Sequence, residues 1–182
     1  MSAPEGGLPV VYLNSAELCF AQRPARVTTV LGSCITVTLF HPTTRTAAIC
    51  HALLPRGKQK SGCGEESGKP FKYVDEVIPI MVARMRRYGI QPRQLEAKLF
   101  GGADMFPAGQ KHQFQIPVGR QNIEAAMQAI ASEGLHLKVA EVGGKYGRKL
   151  FFYTHTGVVM VKPILNRNGS GELGRITSAR HR

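Results

Sequence analysis

Cys34 closes the run Thr28-Thr29-Val30-Leu31-Gly32-Ser33-Cys34, and His51 stands in the next apolar run, AAICHALLP. A thiol beside an imidazole makes a nucleophile and its base: the imidazole takes the proton, and the sulfur attacks a carbonyl carbon. The imidazolium then returns the proton to the leaving nitrogen. That is acyl-transfer chemistry, and an amide lies within its range. A third group must accept a hydrogen bond from the other ring nitrogen to hold the tautomer. Thr28, Thr29 and Thr36 are the candidates at the strand mouth, and the residues alone leave all three open. Gly32 permits close backbone approach or a positive φ, and amides beside Cys34 can hold an oxyanion. Ser33 is either a substrate contact or a turn residue. The competing reading is packing, since most free cysteines are buried small hydrophobes. Cys19 and Cys50 are assigned to it.

The elements that position the pair are two strands, ITVTLF and TAAICHALLP, joined by HPTTR, which carries turn residues. A two-residue turn at Pro42 and Thr43 predicts His41 opposite Thr44 and, counting inward, Cys34 directly opposite His51. Opposed residues share a face. A slip of one would set Cys34 against Ala52 and turn His51 to the other face.

Before this hairpin, VVYLNSAELCF reads as one early strand or extended edge segment. After it, residues 56–70 are rich in Gly, Lys and Ser, form a loop of about fifteen residues bordering the site, and hold Cys63. DEVIPIMVARMRRYG is the clearest helix, with Asp75 as expected cap, Pro79 near the start, and Val77, Ile78, Met81, Val82 and Met85 as its apolar stripe. Gly89 is its expected stop. LEAKLFGGADMF reads as a strand running into a glycine turn, so that Gly101 and Gly102 either frame a cleft or make a tight turn. IEAAMQAIASEG reads as a second helix, with Asn122 as cap and Gly134 as stop. LHLKVAEVGG, RKLFFYTHTG and GVVMVKPI are strands, the last two a hairpin with His155 at its turn. Helices and strands alternate only in the middle. The order predicts an α/β (α+β) chain with mixed sheets and helices outside, not a parallel nucleotide-binding fold. Residues 1–10 are expected to be flexible, 11–163 to form one domain, and 164–182 to be a disordered basic tail.

The 182 residues carry 24 Lys and Arg against 12 Asp and Glu, a net charge of +12, which favours an acidic partner surface, nucleic acid or anionic lipid headgroups without choosing among them. No nucleic-acid module accompanies the charge, so no nucleic acid is expected as the partner. The N-terminus lacks the pattern of a secretory signal, and no apolar run approaches the ~20 residues that span a bilayer. A cytoplasmic chain without membrane insertion is expected. Four isolated cysteines, with no CxxC pair and no metal spacing, call for no cofactor and no metal.

Together, VTTVLGSCITVTLFHP, AAICHALLP, KYVDEVIPIMVARM, AKLFGGADMF, IPVGRQN, EVGGKYGRKLFFYTHTG and VVMVKP, in that order, resemble the chemoreceptor glutamine deamidases called CheD. The resemblance runs from about Val11 to Pro163. It implies an enzyme that converts particular glutamines of methyl-accepting chemotaxis receptors to glutamate and ammonia. It also implies a cysteine nucleophile, a histidine base and a threonine, which by motif match fall on Cys34, His51 and Thr28. Its implied fold is a layered sandwich of packed sheets with helices outside, similar to glutamine-deamidating toxin domains. The implied partners are the cytoplasmic domains of those receptors and, for some members, a CheC-type phosphatase. A monomer is expected, since one core accounts for the apolar residues. The rival readings are another thiol amidase or an esterase acting on receptor methyl esters, and a weakly catalytic or non-catalytic interaction protein.

Overall fold

The computed structural model describes residues 7–57, 71–104 and 116–164. Cys63 and the rest of 58–70, residues 1–6 of the proposed flexible N-terminus and residues 165–182 of the proposed tail lie outside the described residues. Two sheets pack face to face, with two helices against the outer side of one of them. The first sheet has strand order β1 (Val10–Tyr12), β3 (Arg26–Leu31), β8 (Arg148–Tyr153) and β9 (Val158–Pro163). The second runs β2 (Glu17–Ala21), β5 (Thr46–His51), β4 (Ile35–His41), β6 (Glu96–Gly101) and β7 (His136–Val142). β1 pairs with β3, and β6 with β7, in parallel; the other pairs are antiparallel. This is the mixed architecture expected from the element order.

Strand alternation builds two cores. Val27, Leu31, Ile49, Phe100, Leu150 and Phe152 fill the space between the sheets. Ile35, Val37, Leu39, Ala48 and Cys50 face the opposite way, onto helices α1 (Val74–Arg86) and α2 (Val118–Ser132). β4 and β5 are thus covered on both faces, and every residue of the two strands is buried. All five residues of the predicted α1 stripe are fully buried, each contributing roughly 1.5–3 kcal/mol of burial. Gly89 and Gly134 follow the helices at φ +75° and +66°, the stops that glycine permits.

Four local expectations change. The early strand is two strands in different sheets, because the chain crosses between them at Leu13–Ala16, where Ala16 takes φ 63°. Tyr73, not Asp75, precedes α1 as its cap residue and gives no side-chain cap. Asp75 lies in the first turn, where its carboxylate accepts from the Gly57 amide at 3.1 Å. Pro79 is inside the helix. Finally, α2 begins at Val118, so Asn122 is an interior residue and not a cap. The polar GRQN stretch disguised that start, while Pro117 presets it from outside the helix.

Candidate active site

The hairpin register differs from the expected one by two residues. β4 and β5 pair as His41↔Thr46 through Thr38↔Ile49, and the same register recurs at Ile35↔Ala52. The connecting loop is therefore Pro42–Arg45, four residues and not two, with Arg45 at φ 55° and its amide bonded to the His41 carbonyl. Thr36, not Cys34, stands opposite His51, and Cys34 is its diagonal neighbour. A slip of two preserves the face, so both side chains still point between the sheets: Cys34 packs against the inter-sheet core, and His51 shares the side of Ala47 and Ile49. Cys34 itself lies one residue before β4.

The imidazole is held from the other sheet. Thr29 Oγ1 is 2.8 Å from His51 Nδ1 and also donates to the Leu13 carbonyl at 2.8 Å. A carbonyl has no proton to give, so the single threonine proton goes to Leu13, and the ring must donate from Nδ1. This leaves Nε2 with its lone pair free to accept a proton. Ser15 Oγ, 3.4 Å from Nε2, is the nearest hydroxyl on that side. The crossing segment Leu13–Ala16 thus supplies two groups around the ring, and the Ala16 amide bonds the His51 carbonyl at 2.8 Å.

The motif match had placed the third member on Thr28, and the geometry places Thr28 elsewhere. Alternation along β3 sends Val27, Thr29 and Leu31 inward and Thr28 outward, between Tyr12 and Phe151 of the neighbouring strands. Its hydroxyl is buried and has no hydrogen-bond partner among the described residues. Thr36 faces His51 in the register, but its hydroxyl is likewise unpaired.

Around Cys34, glycines bring three backbone segments together. Gly102 N–H donates to the Cys34 carbonyl and Ala103 N–H to the Gly32 carbonyl, each at 2.8 Å. Gly101 sits at φ +106°, and a Cβ there would strike the Cys34 carbonyl, so no other residue fits. Gly119, in the first turn of α2, lies so near this segment that a Cβ would be 2.6 Å from the Gly102 carbonyl. Gly101 and Gly102 therefore brace the backbone of Cys34, and the Gly102 amide is committed to doing so. The amides of Ser33 and Cys34 donate to no backbone carbonyl among the described residues.

Asn122, fully buried, completes the brace. Its Nδ2 donates to the carbonyls of Ser33 and Leu53, both at 2.9 Å. The β4–β5 ladder stops at Ile35↔Ala52, and just beyond it one amide from α2 ties the cysteine strand to the histidine strand. A cleft of about 420 Å³ opens there, lined by Ser33 and Cys34 with Leu54, Lys72, Asp104 and Val118 among others. A groove of about 480 Å³ between α1 and α2 is larger, but none of these groups lines it. Sequence reasoning missed the roles of Asn122, Ser15 and Leu13. Only a polar side chain within a buried helix face, at Asn122, offered a signal.

Burial disfavours the charged form of both Cys34 and His51. Burial pushes the Cys34 thiol above its ordinary value, partly offset by its own backbone amide. Burial also pulls His51 below the ordinary imidazole value, against the Leu13 carbonyl and the charge of Glu17, which raise it. Both directions favour a thiol and a neutral imidazole over a preformed thiolate–imidazolium ion pair. Iodoacetamide labelling of Cys34, read by peptide mass, is accordingly expected to keep accelerating through pH 9. Turnover is expected to fall on the acid side only below about pH 6.5, because a depressed histidine is protonated, and lost as a base, at lower pH than a free one. A labelling plateau at neutral pH would show an ion pair instead.

Residues 53–163 match the family model described as CheD chemotactic sensory transduction. The probable chemoreceptor glutamine deamidase CheD 2 of Geobacter sulfurreducens is 50% identical over 167 residues, covering 92% of this chain and 97% of that protein. An alignment of that extent spans Thr28, Cys34 and His51. The probable chemoreceptor glutamine deamidase CheD of Maridesulfovibrio salexigens is 36% identical over 153 residues, 84% of this chain and 90% of that one. That of Thermococcus kodakarensis is 37% identical over 136 residues, 75% and 81% of the two chains. With a thiol on a braced glycine turn and an oriented imidazole on the same face of the sheet, these matches settle the lineage: the chain belongs to the CheD family.

Proposed function

We propose that the protein is a chemoreceptor glutamine deamidase, hydrolysing receptor glutamine side chains to glutamate and ammonia. The observation that carries the reading is the His51 ring, fixed through Nδ1 by Thr29 with Nε2 left as the base, on the same face as Cys34. The names of the relatives supply the substrate. Cys34 Sγ attacks the δ-carbon while its proton passes to His51 Nε2. The amides of Ser33 and Cys34, beside Gly32, receive the oxyanion. Collapse breaks the C–N bond, and the imidazolium proton leaves with ammonia. Water then adds to the thioester, His51 takes its proton, and the C–S bond breaks to give glutamate and the free thiol. One water is consumed and one ammonia released. Thr29 keeps the ring in the tautomer this sequence needs.

The substrate is the cytoplasmic helical part of a receptor, which places the protein in the cytoplasm. Among the described residues, no helix is long and apolar enough to cross a membrane. A monomer with a CheC-type phosphatase as a further partner completes the reading. To test it, the chain is incubated with a chemoreceptor cytoplasmic fragment from the same cell in ordinary and in ¹⁸O water, and each glutamine peptide is weighed. A gain of about one dalton at defined glutamines, rising to about three in ¹⁸O water, identifies hydrolysis of the amide. Unchanged peptides on a folded receptor would sink the assignment, and release of methanol from a methylated receptor would favour esterase activity.

A further inference from the structure

The outer face of the four-stranded sheet carries no covering layer among the described residues. None of its four strands contains an aspartate or glutamate. Phe151 lies near its centre, with the Arg26 guanidinium 6.0 Å, Lys149 Nζ 5.5 Å and Lys162 Nζ 5.9 Å from its ring centroid. Lys149 and Lys162 are directly opposed across β8 and β9, a like-charge cross-strand pair that costs stability. Between the cations stand apolar side chains: Tyr12 is 72% and Val30 53% exposed, and Met160 is opposite Phe151.

A face that keeps three mutually repelling cations around an aromatic ring, with no ion pair to any of them among the described residues, is poorly suited to bare solvent and well suited to an acidic surface. The cations give charge complementarity and the ring adds cation–π contacts. Val30, Met160 and Tyr12 favour a protein surface, because aliphatic side chains offer little to a phosphate backbone. The face also adjoins the active site. Its last row, Val30, Lys149 and Lys162, is at the end of β3 from which the chain turns through Gly32 and Ser33 to Cys34. We propose that this face docks an acidic flank of the protein substrate next to the glutamine presented to Cys34. The proposal rests on the deamidase reading and adds the surface that selects the substrate.

The test uses the chemoreceptor cytoplasmic fragment as probe and the variants Lys149→Glu/Lys162→Glu and Phe151→Ala. At low ionic strength the charge reversal is expected to raise KM about tenfold with kcat nearly unchanged, and to abolish the rise of KM with salt expected of the parent chain. Phe151→Ala is expected to raise KM several-fold with the salt dependence retained. The iodoacetamide rate at Cys34, the same in all three, reports an intact site. An unchanged KM and salt response in the charge-reversed chain would overturn the docking face while leaving the deamidase standing. If the parent chain binds the fragment through this face, losing it on charge reversal, but deamidates nothing, the docking face stands and the deamidase falls. Loss of duplex-DNA binding with an unchanged receptor KM would assign the face to nucleic acid and overturn the proposal.

Discussion

Cys34→Ala is expected to reduce receptor deamidation by about 10⁴-fold or more, because single losses from a nucleophile–base unit remove nearly all of its rate. Cys50, the cysteine adjoining His51, is not placed to substitute: it faces the helices, is fully buried, and has its thiol pushed up to about 12. Cys34→Ser is expected to fare little better. An imidazole whose Nδ1 is held by a threonine and not by a carboxylate is a modest base, sufficient for a thiol and poor for a hydroxyl. Both substitutions are expected to leave the fold intact, since Cys34 is only half-buried and its backbone is held by Gly102 and Asn122 through main-chain carbonyls. The measurement is the mass shift of glutamine peptides under single-turnover conditions, with receptor binding followed in parallel. Binding without deamidation in the alanine form would confirm a chemical role. Undiminished deamidation would remove Cys34 from the mechanism.

The shared face of Cys34 and His51 was legible in the sequence because strand alternation has a period of two, and an error of two residues in the turn leaves parity untouched. The turn itself was misjudged. Pro42 and Thr43 look like a complete two-residue loop, yet Arg45 adopts a positive φ that nothing local announces. The α1 stripe and the glycine stops were readable for the same reason as the strands: their signals are periodic or conformational and lie within one segment. Long-range partners left no such trace. Asn122 reaches the start of β4 and the end of β5 from a helix, and Ser15 meets His51 only because the chain crosses between sheets at that point. The basic-aromatic face was hidden in a related way. RKLFFY looks like an ordinary strand until alternation and its neighbours in the sheet collect Arg26, Lys149 and Lys162 around Phe151.

Thr28 and Thr29 give opposite expectations for one conservative change. Thr29→Val keeps the shape of the side chain but removes the acceptor for His51 Nδ1–H and the donor to the Leu13 carbonyl. The ring loses the bond that fixes its tautomer, and kcat is expected to fall about 100-fold, less than when a charged aspartate is lost from such a position, because the hydroxyl supplies orientation without charge. Iodoacetamide labelling of Cys34 should slow in the same variant, since general-base help to the thiol is weakened. A merely structural role would leave that rate alone. Thr28→Val should behave differently. The Thr28 hydroxyl is buried without a partner among the described residues, so removing it eliminates an uncompensated polar group. Activity is expected within twofold of the parent, and stability unchanged or higher by up to about 1 kcal/mol. Thermal melts and kcat for the two single variants, measured side by side, decide between the geometry and the motif match. A Thr28→Val chain that is inactive though folded, beside an active Thr29→Val chain, would restore Thr28 as the group that orients the histidine. The reverse pattern would fix Thr29 in that place and make Thr28 a residue of the sheet's outer face, directly opposite Phe151.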